Sequence, residues 1–563
     1  MMQWSLLPTP PDEEIAKLQK ELPSLSRDAI ILLLNREIKN FEGAKTFFNP
    51  KLSQIHDPFL MKDMDTAVDR LSEAFFQKEK IMLYGDYDVD GTCSVSMTYL
   101  FLKHLEANVI YYVPDRYSEG YGVSKKGMDH AIKDGVKLII SIDCGIRAIE
   151  RVAQCNENGI DFIVCDHHEP GEEVPKALAI LDPKQGDCEY PYKELCGCGV
   201  VYKLLQGFCE QQTIDLEVLD KFIDFLAIAT CSDIVPMTGE NRALVHMGLN
   251  KLNTSPNTGV AALIEKAGFS SDLNVRNVVF GLGPRINAAG RIDHAFGAIE
   301  LLTSSNPALA SEQAAKIDIY NQERRALDKQ MTEEALEMIK GSATEQQKKS
   351  TVLWKADWHK GVIGIVASRC IENYHRPTII FSSANGLLTG SARSVGNFSI
   401  LEAIDACSDL LEKYGGHKFA AGLSLKKENY AAFKTKFEQV VSETIKEEDL
   451  TAVLSIDQEI SLDRISNNFF TLLTRMEPFG PRNMQPVFMT KDVEVKGEVR
   501  LLKEEHLKFS LNTLTGSIDC IGFGMKDKYD IVSSGLPFHI AYTIEENVYK
   551  GKRNLQLMLR DIN

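Results

Sequence analysis

Ile81-Met82-Leu83-Tyr84-Gly85-Asp86-Tyr87-Asp88-Val89-Asp90-Gly91 is the stretch on which the fold turns. Its opening run of apolar residues, closed by glycine, predicts a short strand buried on both faces. Carboxylates at 86, 88 and 90 follow at once. Ionised and partly buried, they would repel one another at high cost. A solvated acidic turn or a bound divalent cation would each relieve them. An EF-hand calcium loop does not fit, because the closing glutamate of that loop is missing.

Outward from this stretch, apolar runs recur at 109–113, 138–142, 162–165 and 178–181. Helical patterns lie between most of them, at 95–105 and 147–156, and a longer helical stretch runs over 217–230. Short apolar strands alternating with helices predict a parallel sheet covered on both faces. Strand 138–142 runs into Asp143, strand 162–165 into Asp166-His167-His168, and the helix near 222–230 into Asp233. In open α/β sheets ligands bind outside the carboxyl ends of the strands. Three strands placing Asp or His at that edge point to a metal centre. Carboxylate and imidazole ligands without thiolate suit Mn²⁺ or Mg²⁺.

Composition bounds the remaining possibilities. The chain of 563 residues is long enough for several domains and carries a net charge of −16, which argues against binding nucleic acid through overall charge. Residues 451–563 carry 14 basic and 15 acidic side chains, so almost all of the excess negative charge lies before them. The 12 cysteines show no Cys-x-x-Cys pair and read as reduced core residues. No apolar run approaches the roughly 20 residues that span a bilayer, and the first residues lack a signal-peptide pattern. A cytoplasmic protein is expected. There is no Gly-x-Ser-x-Gly elbow and no Walker loop, so a nucleophilic serine or an NTP-binding loop is not expected.

Asp166-His167-His168, taken with residues 86–91, resembles the DHH phosphoesterase superfamily. Asp115-Arg116-Tyr117, Gly120-Tyr121-Gly122, the run Pro284 to Arg291 and the run Gly415 to Gly422 narrow the resemblance to the bacterial RecJ-type single-strand DNA exonucleases. It extends from about Phe41 into the C-terminal part of the chain. The resemblance implies that Asp88, Asp90, Asp143, His167 and Asp233 hold two divalent cations, Mn²⁺ or Mg²⁺, with Asp143 as the bridge. Many branches of the superfamily have a histidine where this chain has Tyr84, and Asp86 is expected to supply that missing ligand. His168 is expected at the substrate phosphate, as ligand or general acid, which makes His168 and Asp143 the catalytic pair. Asp166 is expected to orient a histidine or the strand end. Two metals can activate a water and stabilise both oxygens of an in-line displacement.

On the substrate side, Arg285, Asn287 and Arg291 sit among small residues and read as a tight loop. Ser391 and Arg393 read as part of a glycine-containing turn, and Gly416-His417 as following a helix over 400–414. Each pattern suits phosphate oxygens. Each equally suits an ordinary structural loop, a solvated turn or a helix C-cap. Trp358 reads either as a DNA contact or as packing. Residues 549–554 read as a basic hairpin tip with one aromatic, on a small all-β domain of OB type.

The expected layout is an N-terminal segment over 1–40 and a parallel-sheet DHH domain over 41–305. A connecting helix and linker follow over 306–350, then a second α/β domain of DHHA1 type over 351–448 and an OB-like domain over 449–563. The expected activity is 5′-to-3′ hydrolysis of single-stranded DNA in repair and recombination. A single-strand-binding protein and a RecQ-type helicase are candidate partners, with no membrane and a monomeric state. The competing readings are a small-molecule or oligonucleotide phosphodiesterase on the same metal core, and a non-catalytic replication scaffold. Intact ligands speak against the scaffold, and the extra β domain against a small substrate.

Overall fold

In a computed structural model of the protein, the apolar runs form one parallel sheet. The structure describes residues 2–269, 272–384, 386–514, 516–549 and 551–563, with only the backbone of Tyr549 and Lys552. The strands are β1 (Ile81–Gly85), β2 (Val109–Tyr112), β3 (Leu138–Ile142), β4 (Asp161–Cys165) and β5 (Ala179–Leu181). Their order is β2-β1-β3-β4-β5, every neighbouring pair parallel. β1, β3 and β5 are buried along their whole length, as two covered faces require. On one face Met82, Ile139, Phe162 and Ile180 pack with Met128, Val152 and Cys155 of the crossover helices. The chain leaves β1 for β2 on one side and returns to β3 on the other. The carboxyl ends of β1 and β3 therefore flank the point where the winding reverses, where α/β sheets open a crevice.

The chain divides into two compact units, one holding 4–287, 295–315 and 455–563, the other 1–3, 288–294 and 316–454. The helix Pro307–Lys340 runs from the first into the second. In the second unit its Met331, Ala335 and Ile339 pack against Leu353, Trp358, Val362 and Ile380. The expected linker after it contains a short helix, Ala343–Gln347. The sheet of this unit comprises β6 (Thr351–Trp354), β7 (Thr378–Ala384), β8 (Leu387–Arg393), β9 (Lys413–His417) and β10 (Ala420–Leu425), in the order β9-β10-β8-β7-β6. Only β6 and β7 pair in parallel; the other neighbours are antiparallel.

The C-terminal residues form a seven-stranded sheet in the first unit. Its strands are β11 (Gln458–Glu459), β12 (Phe488–Val493), β13 (Val495–Leu502), β14 (His506–Thr513), β15 (Gly516–Gly522), β16 (Phe538–Tyr549) and β17 (Lys552–Ile562). The order is β11-β12-β16-β17-β15-β14-β13. Its core, with Phe488, Leu507, Phe509, Tyr542 and Leu557, also takes in Leu32 from the N-terminal helix Arg27–Leu34. The N-terminal segment and the tail thus share one core.

Arg242, on the helix Gly239–Thr254, ties the same parts together. Its guanidinium is buried and donates to the carbonyls of Phe47, Met476, Glu477 and Pro478 at 2.8–3.2 Å. Arg242→Ala removes every one of these bonds and leaves desolvated carbonyls behind. It is expected to lower unfolding stability by about 3 kcal/mol. Urea denaturation checks this, and an unchanged midpoint would show that the guanidinium does not hold these parts together.

Candidate metal centre

The centre assembles from strand ends. β1 stops at Gly85, and Asp86, Asp88 and Asp90 occupy the turn into the helix Val89–His104. Asp88 caps that helix, its Oδ1 accepting from the N–H of Gly91 at 3.1 Å. The turn is tight enough that a Cβ on Gly91 would lie 2.4 Å from the carbonyl oxygen of Asp86. Asp143 follows β3 with φ at 62°, a left-handed conformation uncommon outside glycine that aspartate tolerates better than most residues. Asp166, His167 and His168 follow β4, and Asp233 follows the helix Ile223–Ser232.

These side chains converge. His167 Nε2 lies 3.1 Å from Asp143 Oδ1, 3.6 Å from Asp233 Oδ2 and 3.9 Å from Asp90 Oδ2. Three sets bring their ligand atoms within 4.8 Å of one another: Asp86-Asp88-Asp143, Asp90-His167-Asp233 and Asp143-His167-His168. Asp143 and His167 each belong to two sets, so the sets join into one centre. Every expected ligand is among them.

The electrostatics are those of a site short of positive charge. Asp86 is fully buried, and neither carboxylate oxygen has a hydrogen-bond partner; Asp233 Oδ2 is in the same state. Burial, reinforced by neighbouring carboxylates, pushes the pKa values of Asp86, Asp143 and Asp233 well above the ordinary range. Asp90 is pushed by burial and by Asp88 up to about 6, even though it accepts the N–H groups of Gly197 at 2.6 Å and Cys198 at 2.9 Å. Those N–H groups open the helix Gly197–Gln212, whose positive end favours an anion. Burial and His168 hold His167 down to about 3, leaving a neutral imidazole whose Nε2 faces Asp143 Oδ1 at 3.1 Å. The orphaned carboxylates and the oxygen and nitrogen donor set fit divalent cations. The cysteines Cys93, Cys144, Cys196 and Cys198 stay thiols, because burial raises their pKa values.

Around this centre, Asp166 works differently. Burial alone would raise its pKa, but the bond from His168 Nδ1 at 2.7 Å, the His168 charge and the Ile146 N–H at 2.9 Å hold it below the ordinary range. His168 is partly exposed and its pKa is raised: burial lowers it, but the Asp166 bond together with the charges of Asp166, Asp88 and Asp90 outweighs burial. Tyr84 turns away: its hydroxyl donates to the Gly122 carbonyl at 3.2 Å and accepts from the Ser124 N–H at 2.9 Å. Two neighbours had no role assigned from the sequence, although Tyr121 lies in a motif that carried the resemblance. The Tyr121 hydroxyl lies 3.1 Å from His168 Nε2. Asp182, at the end of β5, is buried with its pKa pushed up to about 7 and one oxygen unpartnered. An acid directly after a strand was the signal for Asp182, as for the others.

The substrate-side residues differ from expectation in local structure. Arg285, Asn287 and Arg291 lie on the helix Gly283–Ile292, continuous with a π-turn over Val278–Leu282, and not on a loop. Pro284 suits a first helical turn, and Ile286, Ala288 and Ala289 are buried, so the small residues pack the helix. Arg285 donates to the Gly281 carbonyl and Arg291 to the Gly361 carbonyl, each at 2.8 Å. Asn287 Oδ1 is buried without a partner.

Ser391 and Arg393 lie in β8 and not in a turn, and Arg393 donates to Ser391 Oγ at 3.1 Å. The helix expected over 400–414 ends at Asp405, and Gly416-His417 belongs to β9. That strand folds straight back on β10, and position 416 requires glycine both for its φ of 149° and because a Cβ there would lie 2.4 Å from the Ala420 carbonyl. The register sets His417, Ala420 and Arg393 in one row across β9, β10 and β8, with Gly415, Gly422 and Ser391 in another. Trp358 is buried and donates to Glu334 at 2.7 Å, a packing role. At the hairpin tip of β16 and β17, Lys550 lies outside the described residues, and Arg553 pairs with Glu546 at 3.2 Å.

Comparison with known proteins agrees along the chain. Residues 80–230 match the DHH family, N-terminal domain, residues 347–443 the DHHA1 domain and residues 456–561 the RecJ OB domain. The single-stranded-DNA-specific exonuclease RecJ of Bacillus subtilis is 35% identical over all of this chain and 70% of its own length. The protein of the same name from Salmonella typhimurium is 32% identical over 98% of this chain and 97% of its own. The crystal structure of RecJ in complex with Mn²⁺ from Thermus thermophilus superimposes with a TM-score of 0.86 at 27% identity, covering 100% of this chain and 79% of that one.

The raised carboxyl pKa values set a pH dependence. Groups whose folded pKa is raised support the fold while protonated and oppose it once ionised, so the metal-free chain loses stability as pH rises from the ordinary carboxylate range through about 6. A cation binds the ionised form and the folded state only. Thermal melts in EDTA are expected to fall between pH 5 and pH 8, and Mn²⁺ to raise the midpoint more at pH 8. The reverse order would mean that the carboxylates are not crowded as described.

Proposed function

From the premise that the chain belongs to the RecJ family of single-stranded-DNA-specific exonucleases, we propose that its strand-end aspartates and histidines hold two divalent cations and that it cuts single strands from the 5′ end. The chain is a metal-dependent exonuclease of single-stranded DNA. The observation that carries the ligand assignment is the pair of sets Asp86-Asp88-Asp143 and Asp90-His167-Asp233, linked by the 3.1 Å approach of His167 to Asp143, with the Asp86 carboxylate buried and unpartnered.

When bound, the cations lower the pKa of a water and neutralise charge on the phosphate in an in-line displacement. The chain's own groups do the rest. His167 is kept neutral, so its lone pair is available as a ligand. Asp90 is fixed by the helix N-terminus at 197–198. Asp166 holds His168 through Nδ1, which leaves Nε2 at the Tyr121 hydroxyl. His168 in its cationic form can hold a phosphate oxygen or give a proton to the departing 3′ oxygen as the P–O bond breaks. Arg285, Asn287, Arg291, Ser391, Arg393, Gly416 and His417 are proposed to engage the strand. The tail over 449–563 is proposed as the OB-like binding domain, the region over 41–305 as the catalytic domain and 351–448 as a second domain. A cytoplasmic role in repair and recombination, with a single-strand-binding protein and a RecQ-type helicase as partners, extends the same reading.

The test uses single strands labelled at either end, a labelled duplex and pyrophosphate, with Mn²⁺ or EDTA. Mn²⁺-dependent release of the 5′ label from single strands alone is expected, and Asp143→Ala abolishes it while the far-ultraviolet circular dichroism is unchanged. Early release of the 3′ label would reverse the polarity. Activity of Asp143→Ala near wild type at saturating Mn²⁺ would overturn the ligand assignment.

A further inference from the structure

Residues 113–124 connect β2 to the helix Lys125–Lys133, and one buried carboxylate anchors both ends of that loop. The Glu119 side chain is 4% exposed. Its Oε2 accepts from the Tyr112 hydroxyl at 2.8 Å and the Ser124 hydroxyl at 2.6 Å. Its Oε1 accepts from the Asp115 N–H at 3.0 Å and the Lys126 ammonium at 3.4 Å. These donors come from the last residue of β2, the start of the loop, the cap of the next helix and its first turn. Burial by itself would raise the Glu119 pKa, but the bonds from Ser124, Asp115 and Tyr112 outweigh it and hold it below the ordinary range. The anchor is therefore ionised at neutral pH.

What the loop carries stands against the Asp-His-His segment. The Tyr121 hydroxyl lies 3.1 Å from His168 Nε2 and 3.4 Å from the Asp143 carbonyl. The Tyr121 ring meets Tyr87 edge-on with centroids 6.1 Å apart, and the Arg116 guanidinium lies 3.9 Å over the Tyr87 ring. Arg116 and Tyr121 flank Glu119 in sequence, so their positions depend on where that carboxylate pins the chain.

We propose that Glu119 is a positioning residue for the hydrolysis, setting Arg116 and Tyr121 against Tyr87 and His168 without touching substrate or metal. The inference rests on the exonuclease reading above. Partners bonded directly to metal ligands cost about 10–100-fold when removed, and Glu119, which acts one contact further out, is expected to cost about 10-fold. Glu119→Ala is expected to lose that factor in kcat/KM on single-stranded DNA, chiefly in kcat, with Mn²⁺ affinity by titration calorimetry within about twofold of wild type. Glu119→Gln, which keeps one acceptor oxygen, falls in between. In an Arg116→Ala/Tyr121→Phe background the Glu119 substitutions cost little more, because the groups they misplace are gone. An undiminished loss in that background, a parallel loss of Mn²⁺ affinity, or wild-type activity of Glu119→Ala would each overturn the inference. If Glu119→Ala does not fold, Glu119→Gln decides by the same comparison. A wild-type chain inactive on single strands would defeat the exonuclease reading itself, whereas an active wild type with an unaffected Glu119→Ala defeats only this step.

Discussion

Mutual repulsion among aspartates buried at one end of a parallel sheet is the constraint on which the rest of the structure depends. Asp86, Asp90, Asp143 and Asp233 sit where burial and their own neighbours oppose ionisation. Protonation or a cation can relieve them, and at neutral pH a cation is the relief that leaves carboxylate oxygens available for chemistry. The fold accepts the cost of holding them there. Asp143 takes a left-handed backbone and the Asp86 carboxylate is buried without a well-formed hydrogen bond, while the helix N-terminus at Gly197 and Cys198 offsets part of the burden at Asp90. Such concentrated strain is expected where function requires it.

Two kinds of support surround that core. His168 is steadied by Asp166 through Nδ1 and meets Tyr121 of the 113–124 loop, which Glu119 holds. The sheet itself is steadied by the chain termini, because the N-terminal helices and the C-terminal strands share a core and Arg242 closes the joint. A net charge of −16 and an activity on a polyanion are compatible because bound cations supply positive charge where the phosphate meets the chain.

The first sheet was legible residue by residue, because strands buried on both faces must be apolar throughout and their ends must change character. The cluster at the strand ends was legible for the same reason, because a strand that is apolar throughout stops where Asp and His begin. Legibility failed where the signal was composition alone. The small residues of 284–291 read as a loop but pack a helix, and 400–414 read as a helix although the helix stops at Asp405 and Lys413 and Tyr414 open the edge strand Lys413–His417. Pairing with β10 overrode local propensity there, and no periodicity announces a partner strand a few residues on. Glu119 was silent in the sequence because its importance lies in four donors that only the fold gathers.

Anomalous diffraction from crystals of this chain grown with Mn²⁺ tests the central claim most directly. The account predicts two Mn²⁺ peaks, both bonded to Asp143, one also to Asp86 and Asp88 and the other to Asp90, His167 and Asp233. A single peak, or an Asp86 carboxylate that stays buried without a cation beside it, would contradict it.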